Sequence, residues 1–235
     1  MAETFTISYH FTLPDKQKEC FDLTFDAVTI ELVETPVPNP PFWARLSYAQ
    51  CHHCPLIETH QYCPVALNLV SVIKRFDRLM SFDQVTVEVI SVERRVVQET
   101  SAQEGISSLM GLLIAGSSCP VTHFFKPMAR FHLPFANKEE TLWRAAATYL
   151  LTRYFTEDGL QVSDMDLHGL VEIYDDVARL NDAMVERLRA ATSKDSTVNA
   201  LVHLDVFAKF LTPPLADSIA QIRPVFDPFL IKLNF

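Results

Sequence analysis

The sequence is poor in glycine, with five glycines in 235 residues. It has no glycine-rich phosphate loop, no dinucleotide-binding G-x-G-x-x-G and no G-x-S-x-G turn of the serine hydrolases. Those sites need glycine where the backbone turns sharply or approaches a ligand closely. The sequence therefore contains no complete catalytic motif of these kinds and argues against a glycine-dependent nucleotide site.

Basic residues and long apolar runs are also scarce. Against 29 acidic residues there are 20 basic ones, and the net charge of -9 opposes a phosphate backbone. The N-terminal MAETFTISYHFTLPDK lacks the basic and continuous apolar regions of a secretory signal. The longest apolar candidate, around Leu109 to Ala115, is shorter than the roughly 18 residues of a membrane span. We expect a cytoplasmic protein without a nucleic-acid partner or integral membrane association, and the oligomeric state stays open.

The first hundred residues alternate between apolar and polar side chains, as strands do. Later segments repeat apolar residues at helical spacing. The predicted strands are residues 4–13, one bulged strand or two strands over 23–33, a third at 42–50, and a strand or hairpin at 85–97. The predicted helices are residues 64–80, 102–115, 138–155 after a cap at Asn137, about 164–191 after a cap at Ser163 or Asp164, and 196–211.

This order predicts an α+β fold in which an antiparallel β-rich N-terminal part packs on a helical C-terminal part. Residues 1–100 form the β-rich part with a helix at 64–80, and residues 101–235 form the mainly helical part. Of the four cysteines between positions 51 and 119, three lie in the β-rich part and one lies in the helical part. A shared centre would join the two parts, so we predict a single integrated domain over residues 1–235.

The four cysteines are the most distinctive chemical feature of the sequence: Cys51, Cys54, Cys63 and Cys119. A C-x2-C pair lets two thiolates reach one ion from a tight turn. Proline follows three of the four, as it follows a cysteine in the ferredoxin run. These features favour a four-cysteine iron-sulfur cluster with a redox, sensing or structural role.

Other interpretations remain open. Zinc is the alternative cofactor, since His52, His53, His60 and His123 can replace a thiolate ligand. The protein would then be a zinc-stabilised module that binds an unknown protein partner. A third alternative is an enzyme with a pocket beside the metal site, lined by His123, Lys126, Arg130 and His132, or an anion site in that aromatic and basic segment. In the simplest alternative, the cysteines are partly buried free thiols that pack as small apolar groups.

Four segments carry a resemblance to a known family: CHHCPL, YCPVALNL, SSCPVTHFFKPMARFHLPF and EETLWRAAATYLL. Together they resemble an uncharacterised bacterial protein family of unknown function, over Cys51 to Phe155. The resemblance implies a bacterial cytoplasmic setting. It implies no activity, substrate or partner.

Overall fold

A four-stranded antiparallel sheet forms the first part of the chain in a computed structural model that describes residues 3–33, 37–56, 60–156, 166–210 and 215–233. The strands are β1 (Thr4–Thr12), β2 (Lys18–Asp26), β3 (Gln84–Ile90) and β4 (Arg95–Ser101). They lie in the order β2-β1-β3-β4, and each neighbouring pair is antiparallel. The predicted strand at residues 4–13 and the predicted hairpin at 85–97 are confirmed.

The alternation of β1 places one face of the sheet in the core. Ile7, Tyr9 and Phe11 are buried, whereas the alternating polar residues Thr4, Thr6, Ser8 and His10 lie on the opposite, more exposed face. β2 begins five residues earlier than predicted and ends at Asp26. There the carboxylate accepts hydrogen bonds from the backbone N–H groups of Val28 and Thr29, which form a turn. This turn is the physical reason for the break in alternation near residue 27.

The strand predicted at residues 42–50 is wrong. Residues Phe42–Ala44 form a short 3-10 helix, and the only pairing of the described residues here is an isolated bridge between Arg45 and Tyr62. The segment follows a proline-rich connection, and proline donates no hydrogen bond to a strand ladder. An arginine from a distant helix binds its carbonyl groups instead.

The helices are α1 (Pro64–Phe76), α2 (Ala102–Ala115), α3 (Lys126–Arg130), α4 (Lys138–Thr156), α5 (His168–Ala191), α6 (Ser196–Phe210) and α7 (Leu215–Leu233). A further 3-10 helix covers Pro120–Phe125. α1 ends four residues before the predicted end, and α2 has the predicted bounds with Gly116 as its C-cap. The predicted cap at Ser163 or Asp164 lies outside the described residues. α7 was not predicted, because it contains Pro224 and Pro228.

The start of α4 is a reciprocal capping box. The Asn137 side chain accepts from the Glu140 N–H at 2.9 Å, and the Glu140 carboxylate accepts from the Asn137 N–H at 2.8 Å. The predicted cap is confirmed.

The chain divides into two compact units. The first unit contains residues 1–135 and 179–205, and the second contains 136–178 and 206–235. The core of the first unit joins the buried face of the sheet to α1, α2 and residues such as Leu180, Met184 and Leu188 of α5. In the second unit, Tyr149 is buried so close to Gly169 that a side chain there would meet its hydroxyl group. The α+β class is confirmed, and the single integrated domain stays a prediction.

Taken one at a time, the described helices are all too short or too polar to cross a membrane. The bent pair Ala102–Ala115 and Pro120–Arg130 meets the length and composition criteria only when its two helices are counted together.

Candidate functional site

The four predicted ligand cysteines lie in the first unit. Cys51 and Cys54 are half-buried and share a turn in which the Cys54 N–H donates to the Cys51 carbonyl at 3.0 Å. Cys63 is the N-cap residue of α1, and Cys119 precedes the 3-10 helix that begins at Pro120. The side chains of Cys63 and Cys119 are buried. Both thiols therefore belong to the packed interior.

The described ranges include all five cysteines, and within them no three His, Cys, Asp or Glu side chains are arranged to hold a metal ion. All five cysteines are free. The predicted metal-binding function is therefore wrong, for an iron-sulfur protein and for both alternatives that depend on a metal site. The ligand assignment of Cys51, Cys54, Cys63 and Cys119, with His52, His53 or His123 as substitutes, and the choice between cluster and zinc stay predictions from sequence.

Burial also sets the protonation state of three of these thiols. Burial raises the pKa of Cys51 to about 12, with smaller contributions from the other three cysteines, and burial raises the pKa of Cys119 to about 11. Burial also raises the pKa of Cys63, although N–H groups at the start of α1 act in the opposite direction. In the protein as described, these three thiols are therefore protonated at neutral pH. They pack as small apolar side chains.

A buried cation holds the segment that leads into the cysteine turn. Arg187 of α5 is 1% exposed, and its Nη1 donates to the carbonyls of Trp43 at 2.5 Å and Arg45 at 2.8 Å. Its Nη2 donates to the carbonyl of Leu46 at 3.2 Å. Arg187 therefore satisfies carbonyls that a strand ladder would otherwise have to satisfy.

A small cleft lies elsewhere in the first unit, and we call it the Arg130 pocket. It has a volume of about 250 Å³ and is lined by residues 5–7 of β1, residues 91–94 of the β3–β4 turn, and residues 130–132 at the end of α3. Two arginines and one glutamate, Arg94, Arg130 and Glu93, give this lining a net positive charge. The pocket is therefore electrostatically opposite to the acidic chain as a whole.

The guanidinium of Arg130 is the central group of this pocket. It lies 4.8 Å from the ring centroid of Phe5 and 5.7 Å from that of Phe131. Its Nη1 donates to Glu93 Oε1 at 3.3 Å, which is its one hydrogen bond to the part of the chain described. The pKa of Glu93 is lowered by a hydrogen bond from its own backbone, by the Ser91 hydroxyl and by Arg130. The pair is thus ionised at neutral pH.

A buried hydrogen-bond network supports the histidine of the pocket. His132 Nε2 lies 2.6 Å from the Tyr9 hydroxyl, which lies 2.8 Å from Ser108 Oγ. Ser108 Oγ also accepts from the Phe135 N–H at 3.2 Å. Because Tyr9 is fully buried, the network fixes the Nε2 edge of the imidazole.

Two of the four residues that were predicted from the sequence to line a pocket do line this one. Arg130 and His132 line it, whereas His123 and Lys126 lie near Glu31, at 4.0 Å and 3.2 Å respectively. Phe5, Glu93 and Arg94 were missed because no local pattern connects them with Arg130.

A family model matches residues 7–227, and its description is a domain of unknown function (DUF6901). No curated protein and no solved structure matches the chain. The predicted resemblance to an uncharacterised family is confirmed over more of the chain than expected. The bacterial origin stays a prediction.

Proposed function

Because this chain belongs to the DUF6901 family, whose description gives no activity, we propose a function from its own geometry: the Arg130 pocket binds a small organic anion. The observation that supports this proposal is the position of the Arg130 guanidinium over two aromatic rings, those of Phe5 and Phe131, in a cleft. A planar cation in that position is ready to receive a carboxylate.

The hydrogen-bonding capacity of Arg130 supports an anionic ligand. A guanidinium carries five N–H donors, and Arg130 donates to one protein acceptor among the described residues, Glu93. The remaining donors can form a charge-assisted, two-pronged contact with a carboxylate. Stacking on Phe5 holds the plane of the group, so less side-chain freedom is lost on binding.

The size and walls of the pocket narrow the ligand class. Its volume of about 250 Å³ lies below the roughly 300–1,000 Å³ of clefts that take drug-sized ligands. Phe131 is 70% exposed, so an apolar or aromatic ligand body would remove its ring from water. We therefore propose a small monocarboxylate with an apolar body.

Titration of isotope-labelled protein with benzoate, acetate and inorganic phosphate tests the proposal by nuclear magnetic resonance. We expect saturable shifts of the amides of residues 5–7, 91–94 and 130–132, with benzoate binding more tightly than acetate. Arg130→Gln should weaken benzoate binding about tenfold or more, since a charge-assisted contact is lost. No saturable shift with any of the three anions would refute the proposal.

Arg95→Gln is the matched control for that variant. Arg95 belongs to the same hairpin and pairs with Glu88, and it does not line the pocket. Benzoate should bind Arg95→Gln as it binds wild type. Equal binding by Arg130→Gln and wild type would contradict the assigned role of Arg130.

We also propose a cytoplasmic location. All five cysteines are free, and reducing compartments keep thiols in that form. Fractionation of cells that produce the protein tests this, and recovery from a secreted fraction would contradict it.

A further inference from the structure

The two edges of the sheet differ in whether their backbone groups are occupied. β2 forms one edge and β4 the other. An open edge is a template for another strand, and proteins usually cover it. The register shows which groups point outward on each edge.

On β4 the outward groups belong to Arg95, Val97 and Glu99. The hairpin closes with the Ser91 N–H donating to the Arg94 carbonyl at 2.9 Å. Because bonded and non-bonded pairs alternate in an antiparallel ladder, the even-numbered residues of β4 bond to β3 and the odd-numbered ones face away. Within the described ranges, no backbone group takes these outward N–H and C=O groups.

On β2 the chain covers part of its own edge. The Cys20 carbonyl accepts from Arg75 Nη1 at 2.6 Å, and the Thr24 carbonyl accepts from the Val33 N–H at 2.8 Å. The Asp26 N–H donates to the Glu31 carbonyl at 2.9 Å. Within the described residues, the edge at β4 is thus the more open of the two.

We propose that β4 pairs antiparallel with β4 of a second copy of this chain, in the register centred on Val97. This register places Val97 opposite Val97 of the second copy, and Arg95 opposite Glu99 of the second copy in both halves of the interface. All these residues face outward through the backbone, so each opposing pair exchanges about two hydrogen bonds. The protein partner predicted from the sequence is then another molecule of the same protein.

The side chains of β4 favour this partner and this register. Val97 is 56% exposed, and pairing with its copy buries an apolar surface. Arg95 and Glu99 carry opposite charges, and direct opposition of unlike charges stabilises a strand pair. A shift to a centre at Gln98 would place Val97 against Glu99 and lose both charge pairs.

The dimer formed in this way should be weak. Seven residues of strand contribute less than the roughly 800 Å² per partner that stable interfaces bury. We therefore expect a reversible dimer whose population rises with protein concentration.

Sedimentation velocity over a range of concentrations tests the proposal. Wild type should show a concentration-dependent dimer, whereas Arg95→Glu and Glu99→Arg should each stay monomeric, because both charge pairs become like-charged. An equimolar mixture of the two variants should dimerise again, since it restores unlike charges in both halves. This recovery is specific to the register centred on Val97.

Two further variants complete the test. Asp22→Arg makes the same charge change as Glu99→Arg on the β2 edge and should leave dimerisation intact. Val97→Pro removes an outward N–H and should give a monomer with an unchanged melting temperature, since proline is tolerated at a sheet edge. Monomeric wild type at every concentration, or a mixture that does not dimerise, would overturn the proposal, and so would a dimer that persists in Val97→Pro.

Discussion

Two parts of the first unit carry reactive side chains under opposite conditions. In one part, burial keeps the thiols of Cys51, Cys63 and Cys119 protonated. The Arg130 pocket contains a guanidinium and a carboxylate that are both ionised and partly exposed. The first region contributes packing, and the second offers charge to a ligand. Whether an ionisable side chain packs in the core or is available to a ligand depends here on its exposure to solvent.

The largest expected effect comes from a substitution in the buried region, at the arginine that binds the segment before the cysteine turn. Arg187→Met leaves the buried carbonyls of Trp43 and Leu46 without a donor among the described residues and removes one of the two donors to the Arg45 carbonyl, so the free energy of unfolding should fall by about 3 kcal/mol or more. Urea unfolding measures this change. Arg189→Met, at an exposed position of the same helix, should stay within about 0.5 kcal/mol of wild type. A similar loss in both variants would show that Arg187 has no special role.

The pH dependence of stability tests whether the buried thiols are kept protonated. Burial raises the pKa of Cys119 from 9.0 to about 11. The contribution of the protonated Cys119 thiol to the free energy of unfolding is complete below about pH 9. It is lost as the pH rises toward 11, because this thiol ionises at a lower pH in the unfolded chain than in the folded protein. The free energy of unfolding of wild type should therefore fall by about 2 kcal/mol more than that of Cys119→Ala across this range. Urea unfolding at about pH 8 and about pH 10.5 tests this.

Cys20→Ala is the matched control for the loss of one thiol, since Cys20 is exposed. An equal pH dependence in Cys119→Ala and wild type would show that the Cys119 thiol is not kept protonated by the fold.

A smaller effect is expected at the boundary between core and pocket. Tyr9→Phe removes the hydroxyl between His132 and Ser108 and should lower the free energy of unfolding by about 1 kcal/mol. Thermal unfolding measures it. Tyr154→Phe, at an exposed position, should change stability by less than about 0.5 kcal/mol. An unchanged Tyr9→Phe would mean that the network contributes no net stability.

The smallest expected effect concerns the charge of the pocket. Glu93→Gln removes a carboxylate that competes with the ligand for Arg130, so benzoate should bind about twofold more tightly. Calorimetry measures the affinity, with Glu139→Gln in the second unit as the control. Weaker binding by Glu93→Gln would show that Glu93 positions Arg130 rather than opposing the ligand.

Sequence reasoning succeeded where structure is determined locally. The alternation of residues 4–13 predicted β1, and Asn137 with Glu140 predicted the start of α4, because each signal lies within a few residues. The strand predicted at residues 42–50 failed because its carbonyls bind Arg187, a residue 144 positions from Trp43. α7 was missed because prolines inside it indicate a break.

Predictions about the functional site also succeeded only where the signal was local in sequence. Spacing placed Cys51 and Cys54 in one turn, but whether four sulfurs meet around one point depends on folding over long distances. Arg130 and His132 were named from composition alone. Their neighbours Phe5 and Glu93 come from β1 and from the β3–β4 turn, and only the sheet brings these segments together.

The covering of β2 by residues 31–33 and by Arg75 also limits how far the molecule can assemble. A sheet with two open edges can add copies without end and form a fibre. Among the described residues the β4 edge is the more open of the two, and a pairing about a two-fold axis uses that edge in both molecules. Association through β4 would therefore stop at two chains, which allows the protein to keep an open strand without polymerising.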